Sequence, residues 1–137
     1  MQDDNDPATT QTLFRHLNSI AAAEAPAKVI DAIQGYLNAW PKERVRNLQK
    51  VDGGWAPFDE GQSPSRISDD RDLRHIRDAI HRQCLTLREA RLPLTAELME
   101  LDEVLCIATL LVEAMKAPGF KAQHAAATGR SNLPNLV

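Results

Sequence analysis

The sequence predicts an all-α protein: a single compact helical domain of about five helices, closing with a C-terminal antiparallel helical hairpin. Three observations lead there. Apolar residues recur at three- and four-residue spacing in one segment after another, the period of an amphipathic helix. No alternating apolar–polar run is long enough to build a sheet. Proline, serine, threonine and glycine fall where helices start and stop. The chain has 137 residues, 43% of them hydrophobic, 26% charged and 4% aromatic, which suits one domain and excludes wholesale disorder. A formal net charge of −3 argues against a protein that coats nucleic acid nonspecifically, though not against a local basic face.

Residues 1–8 read as a flexible acidic N-terminus, with Asp3, Asp4 and Asp6 and no apolar anchor before Leu13. The helical domain is expected over 9–117. Its first helix starts near Pro7 to Thr10 and follows Leu13, Leu17, Ile20 and Ala21 to about Ala25. Pro26 can stand in the first turn of a second helix, where its missing N–H costs nothing. Val29, Ile30, Ile33, Tyr36, Leu37 and Trp40 then share about a third of the helical circumference. Pro41 ends that helix or opens a short third one, with Val45 and Leu48 inward and Lys42, Arg44, Arg46 and Lys50 outward.

The stretch from Val51 to Ile67 breaks the pattern with glycines, prolines and two aromatics. A loop of that length is either functional or disordered. Trp55 and Phe58 favour one pinned to the body, as a lid on the core or as a binding loop. Ser68 is the expected N-cap of the next helix, with Asp69, Asp70 and Asp72 in its first turn. That helix should reach Glu89 or Ala90, with Leu73, Ile76, Ile80, Cys84 and Leu87 on its apolar face. Leu92-Pro93-Leu94 is a tight connector, Thr95 caps the last helix, and Leu98 to Met115 form its main face. A short connector makes the two helices antiparallel neighbours. Residues 118–137 read as a flexible C-terminal tail whose alanines allow a short helix at 120–127.

No uncharged apolar stretch reaches the ~18 residues of a membrane span, and the acidic N-terminus lacks the basic start of a signal peptide. The expectation is a cytoplasmic chain that meets no membrane. Its two cysteines, Cys84 and Cys106, sit inside apolar patterns and read as buried reduced thiols rather than a disulfide.

The usual catalytic signatures, GxSxG, GxxxxGK[ST], GxGxxG and HExxH, are absent. Asp52 to Glu60 lacks the ligand spacing of a calcium loop. His75 and His81 are six residues apart and face different sides of their helix. Asp72 with His75, and Asp78 with His81, have metal-ligand spacing but read as surface ion pairs. The expectation is therefore no cofactor, no metal and no enzyme.

Two features point to binding. Between residues 66 and 91 there are seven Arg and no Lys. Arg74, Arg77, His81 and Arg88 form a stripe beside the apolar face, and Arg suits planar, bidentate contact with carboxylate or phosphate. The bland reading is a solvated face balanced by Asp69, Asp70, Asp72, Asp78 and Glu89. The other feature is the last helix, whose back carries Met99, Cys106, Ile107 and Leu110. A helix apolar all round must be covered all round, by this chain's own helices or by a second copy. The sequence-based expectation is a small non-enzymatic regulator that docks on another protein with an acidic surface through Arg74, Arg77, His81, Arg88, Trp55 and Phe58. It would block that partner sterically, and it would form a homodimer through Met99, Cys106, Ile107 and Leu110. The alternative is a DNA-binding transcriptional regulator using the basic segment 41–50. Nucleic acid is the less favoured partner, because the Trp40-Pro41 junction is shorter than a helix-turn-helix needs.

Overall fold

In the computed structural model, which describes residues 10–49, 56–58 and 63–116, the elements run α1 (Thr10–Ala22), α2 (Pro26–Asn38), α3 (Lys42–Arg46), α4 (Asp70–Glu89) and α5 (Ala96–Lys116). The fold is all-α, as the periodicity predicts; the one β feature among the described residues is an isolated bridge between Phe58 and Pro64. The acidic lead at 1–8, Lys50, Trp55 and the tail at 118–137 lie outside the described residues.

Leu13, Leu17 and Ile20 bury the inner face of α1. This helix stops at Ala22 rather than continuing to Ala25. Glu24 takes a left-handed φ of 57°, its N–H bonds Ala21 O at 3.0 Å, and Ala25 N–H reaches back to Ile20 O at 3.4 Å. That is a Schellman stop made without glycine, so the sequence carries no glycine flag for it. Ala25 is then free to precede Pro26, which disfavours helical backbone in the residue before it. α2 carries Pro26 in its first turn and buries Val29, Ile30, Ile33, Tyr36 and Leu37. α3 is a short helix that opens after Pro41 and ends at Arg46, with Val45 and Leu48 packed against the core.

The approach to α4 is pinned at two points. Ser65 N–H donates to Pro57 O at 2.8 Å, and Ile67, itself buried, donates its N–H to Gln34 Oε1 at 2.8 Å. The N-cap of α4 is Asp69, not the expected Ser68. The Asp69 carboxylate accepts Asp72 N–H at 3.0 Å, while the Asp72 side chain accepts Ser68 N–H at 3.0 Å. A carboxylate serves there as well as a hydroxyl and adds a favourable interaction with the helix dipole. At the far end, Arg91 (φ 59°) makes a second glycine-free stop, with Arg91 N–H on Arg88 O and Leu92 N–H on Leu87 O.

Thr95 caps α5 as expected, its hydroxyl accepting Leu98 N–H at 3.1 Å. α5 is the central helix, packed by α1, α2 and α4. It buries Leu98, Leu101, Val104, Leu105, Ala108, Thr109 and Val112, and the Thr109 hydroxyl is satisfied by Leu105 O at 2.8 Å. Asp70 at the start of α4 meets Lys116 at the end of α5 at 2.6 Å, while His81 further along α4 meets Asp102 further back on α5 at 3.0 Å. Pairs that ascend one helix therefore descend the other.

Candidate functional site

Glu100 and Asp102, two residues apart on α5, point to opposite flanks and organise two polar clusters. On the flank toward α2 and α3, Glu100 accepts the Tyr36 hydroxyl and pairs with Arg44 Nη2 at 2.5 Å. The Arg44 guanidinium also stacks over Trp40, 4.2 Å from the ring centroid, and Trp40 meets Tyr36 edge-on at 5.7 Å. Burial acts to raise the Glu100 pKa, but hydrogen bonds from Arg44 and Tyr36 overcome it and hold the carboxyl below its ordinary value. Burial, with the adjacent Glu100 carboxylate, pushes the Tyr36 phenol well above its usual range. Tyr36, Arg44 and Glu100 all have partners within the protein, while the buried Trp40 Nε1 makes no hydrogen bond among the described residues.

That corner also takes up the basic segment 41–50. Arg44 is committed to Glu100 and Trp40, which leaves Lys42 and Arg46 as the exposed cations of α3. Phe58 lies half-buried beside the same corner, with its ring centroid 5.7 Å from that of Trp40.

The flank toward α4 is open. Leu110 is 65% exposed, Met99 46% and Leu85 43%, while Cys106 and Ile107 are half-buried. At about 100° per residue, Arg74, Arg77, Leu85 and Arg88 fall within about 40° of His81 on α4, and Met99, Cys106 and Leu110 fall within about 80° of Asp102 on α5. Because His81 and Asp102 are bonded, the two rows lie side by side along the α4–α5 seam. Ile107 sits further round. The Arg stripe and the apolar back of α5, which the sequence presents as two separate features, are thus neighbours on one face.

Within that face, Arg74 and Arg88 are exposed, whereas Arg77 and His81 turn toward the seam. Arg77 Nε is buried and makes no hydrogen bond among the described residues, although it lies 3.2 Å from Asp78 Oδ1. The Cys106 Sγ lies 3.6 Å from the same Asp102 oxygen that holds His81. Burial first, and Asp102 second, raise the Cys106 thiol pKa, with Arg77 pulling the other way. Cys84, fully buried beneath, is pushed up to about 11 by burial and by Asp102. Both cysteines are free thiols.

A separate cavity of about 330 Å³ opens between the start of α2, the start of α4 and the end of α5, lined by Ile30, Val112, Asp31, Asp69, Asp70 and Lys116. Three of its charges are already engaged: Asp69 caps α4, and Lys116 bridges to Asp70 and holds that carboxyl below its ordinary value. No family model, curated protein or solved structure matches the chain.

Proposed function

We propose that this protein is a non-enzymatic regulator that docks on another protein through the open α4–α5 face and modulates it by occupying a surface that partner needs. The observation that supports this reading is the side-by-side placement of Leu85, Met99 and Leu110 with Arg74, Arg77 and Arg88. Large apolar side chains left in water mark a surface that a partner can cover, and the Arg side chains beside them are of a type enriched at binding hot spots. Four Arg side chains on the outer surface of α4 (Arg71, Arg74, Arg82 and Arg88) make an acidic partner surface the complementary one.

A cross-linking amino acid placed at position 110 identifies the partner, and binding is then measured on the purified pair. Arg74→Glu with Arg77→Glu is expected to weaken that binding at least tenfold and to reduce its salt dependence. Unchanged affinity would mean that the row is only a solvated surface. The homodimer reading rests on the same exposed Leu110, and sedimentation decides it: Leu110→Asp should convert a dimer into a monomer, and a wild-type monomer removes that reading.

A further inference from the structure

We propose that His81, Asp102 and Cys106 form a binding site for a divalent transition-metal ion, of which zinc is the best fit. The inference is independent of the docking proposal above. His81 Nδ1, Asp102 Oδ1 and Cys106 Sγ all lie within 4.8 Å of one another, each half-buried and reachable from solvent. One nitrogen, one carboxylate oxygen and one sulfur make a borderline-soft donor set, which suits zinc and excludes magnesium and calcium.

The distances decide between a plain hydrogen-bonded cluster and a site that an ion can enter. With zinc–nitrogen and zinc–oxygen bonds of about 2.0 Å and a zinc–sulfur bond of about 2.3 Å, tetrahedral geometry puts nitrogen about 3.3 Å from oxygen and sulfur about 3.5 Å from oxygen. The observed separations are 3.0 Å and 3.6 Å. Both separations from Asp102 Oδ1 are thus within a few tenths of an ångström of ligand geometry, and the third, His81 Nδ1 to Cys106 Sγ, lies within 4.8 Å and closes toward about 3.5 Å by side-chain rotation. The His81 side chain is 40% exposed, so an ion can reach the cluster from solvent and water can complete its coordination.

The backbone supports the same arrangement. Asp102 and Cys106 are one turn apart on α5, the spacing at which two side chains on one helix can share an ion. His81 comes from α4, so binding would fasten the two helices together. Arg77, which already reaches Cys106 and has a buried Nε–H without an acceptor, would gain a thiolate beside it when the metal displaces the thiol proton. Two negative ligands then balance the charge of a divalent ion.

Cobalt(II) is the probe, because tetrahedral cobalt absorbs strongly in the visible and a cobalt–thiolate bond adds a near-ultraviolet charge-transfer band. Full-length reduced protein, stripped with a chelator, is titrated with cobalt(II) and then with zinc(II). The expected result is one ion per chain, intense tetrahedral bands with a thiolate band, and their bleaching by zinc. Cys106→Ser should abolish the thiolate band, and His81→Ala should weaken binding by about 100-fold. Both side chains are partly exposed, so circular dichroism should show both variants folded. A weak octahedral spectrum in the wild type would overturn the proposal. So would a thiolate band that survives Cys106→Ser, since it would come from Cys84.

Discussion

Glu100 and Asp102 stand two residues apart on the same helix, and the protein treats them in opposite ways. Glu100 is closed in: Tyr36 and Arg44 occupy its oxygens, and Trp40 covers Arg44. Asp102 has the less exposed side chain of the two, 16% against 25%, but its partners are open: it holds the 40%-exposed His81 and Cys106 on one oxygen, at a seam bordered by exposed apolar and Arg side chains. The closed carboxylate is spent on the fold. The Asp102 cluster leaves ligand atoms, an Arg77 Nε–H without a hydrogen-bond acceptor and, through His81, a route from solvent, which is where an ion or a partner could act.

The largest expected difference between the two is in stability. Glu100→Ala strands a buried phenol and a half-buried guanidinium and should cost about 2–3 kcal/mol in urea unfolding. Asp102→Ala releases His81, which is 40% exposed and can be rehydrated, and should cost less than about 1 kcal/mol. Equal losses would break the contrast.

Acid titration sharpens it further. Glu100 is held below its ordinary value in the folded state, so it binds a proton more readily once unfolded. Its contribution is complete above the unfolded carboxyl value of about 4.3 and is lost as pH falls through the lower folded value. Glu100→Gln should flatten that part of the stability curve, and an unchanged acid limb would show that the corner is not what fails in acid.

Much of this was legible in the sequence, for physical reasons that differ by element. In α2 one apolar stripe faces one core, so Val29 to Trp40 could be read from spacing alone, and Pro26 marked the start. The ends of α1 and α4 were not legible in that way, because Glu24 and Arg91 occupy left-handed positions where glycine would have flagged the stop. The Asp69 cap was hidden by an equally suitable Ser68 beside it. Both polar clusters were invisible because their members come from different helices. Glu100 finds Tyr36 across 64 positions and His81 finds Asp102 across 21, and helical periodicity carries no information about such pairs. The spacing Asp102–Cys106 is a ligand signal within one helix, but Cys106 also reads as part of an apolar back face.

Two smaller tests raise the baseline without touching either cluster. Gly35 is an exposed interior residue of α2, and a Cβ there would meet nothing within 4 Å, so Gly35→Ala should add about 0.5–1 kcal/mol. Arg91→Gly relieves the left-handed backbone at the end of α4 and should add about 0.5 kcal/mol. A loss on either change in urea unfolding would mean that the local backbone differs from the one described.

The central claim is that α5 is covered by α1, α2 and α4 and left open toward the seam. Maleimide labelling of native, metal-free protein, read by peptide mass spectrometry, tests it with the two thiols as reporters. Cys106 should be modified while Cys84 stays protected until the protein unfolds. Equal labelling of both, or protection of both, would contradict the account.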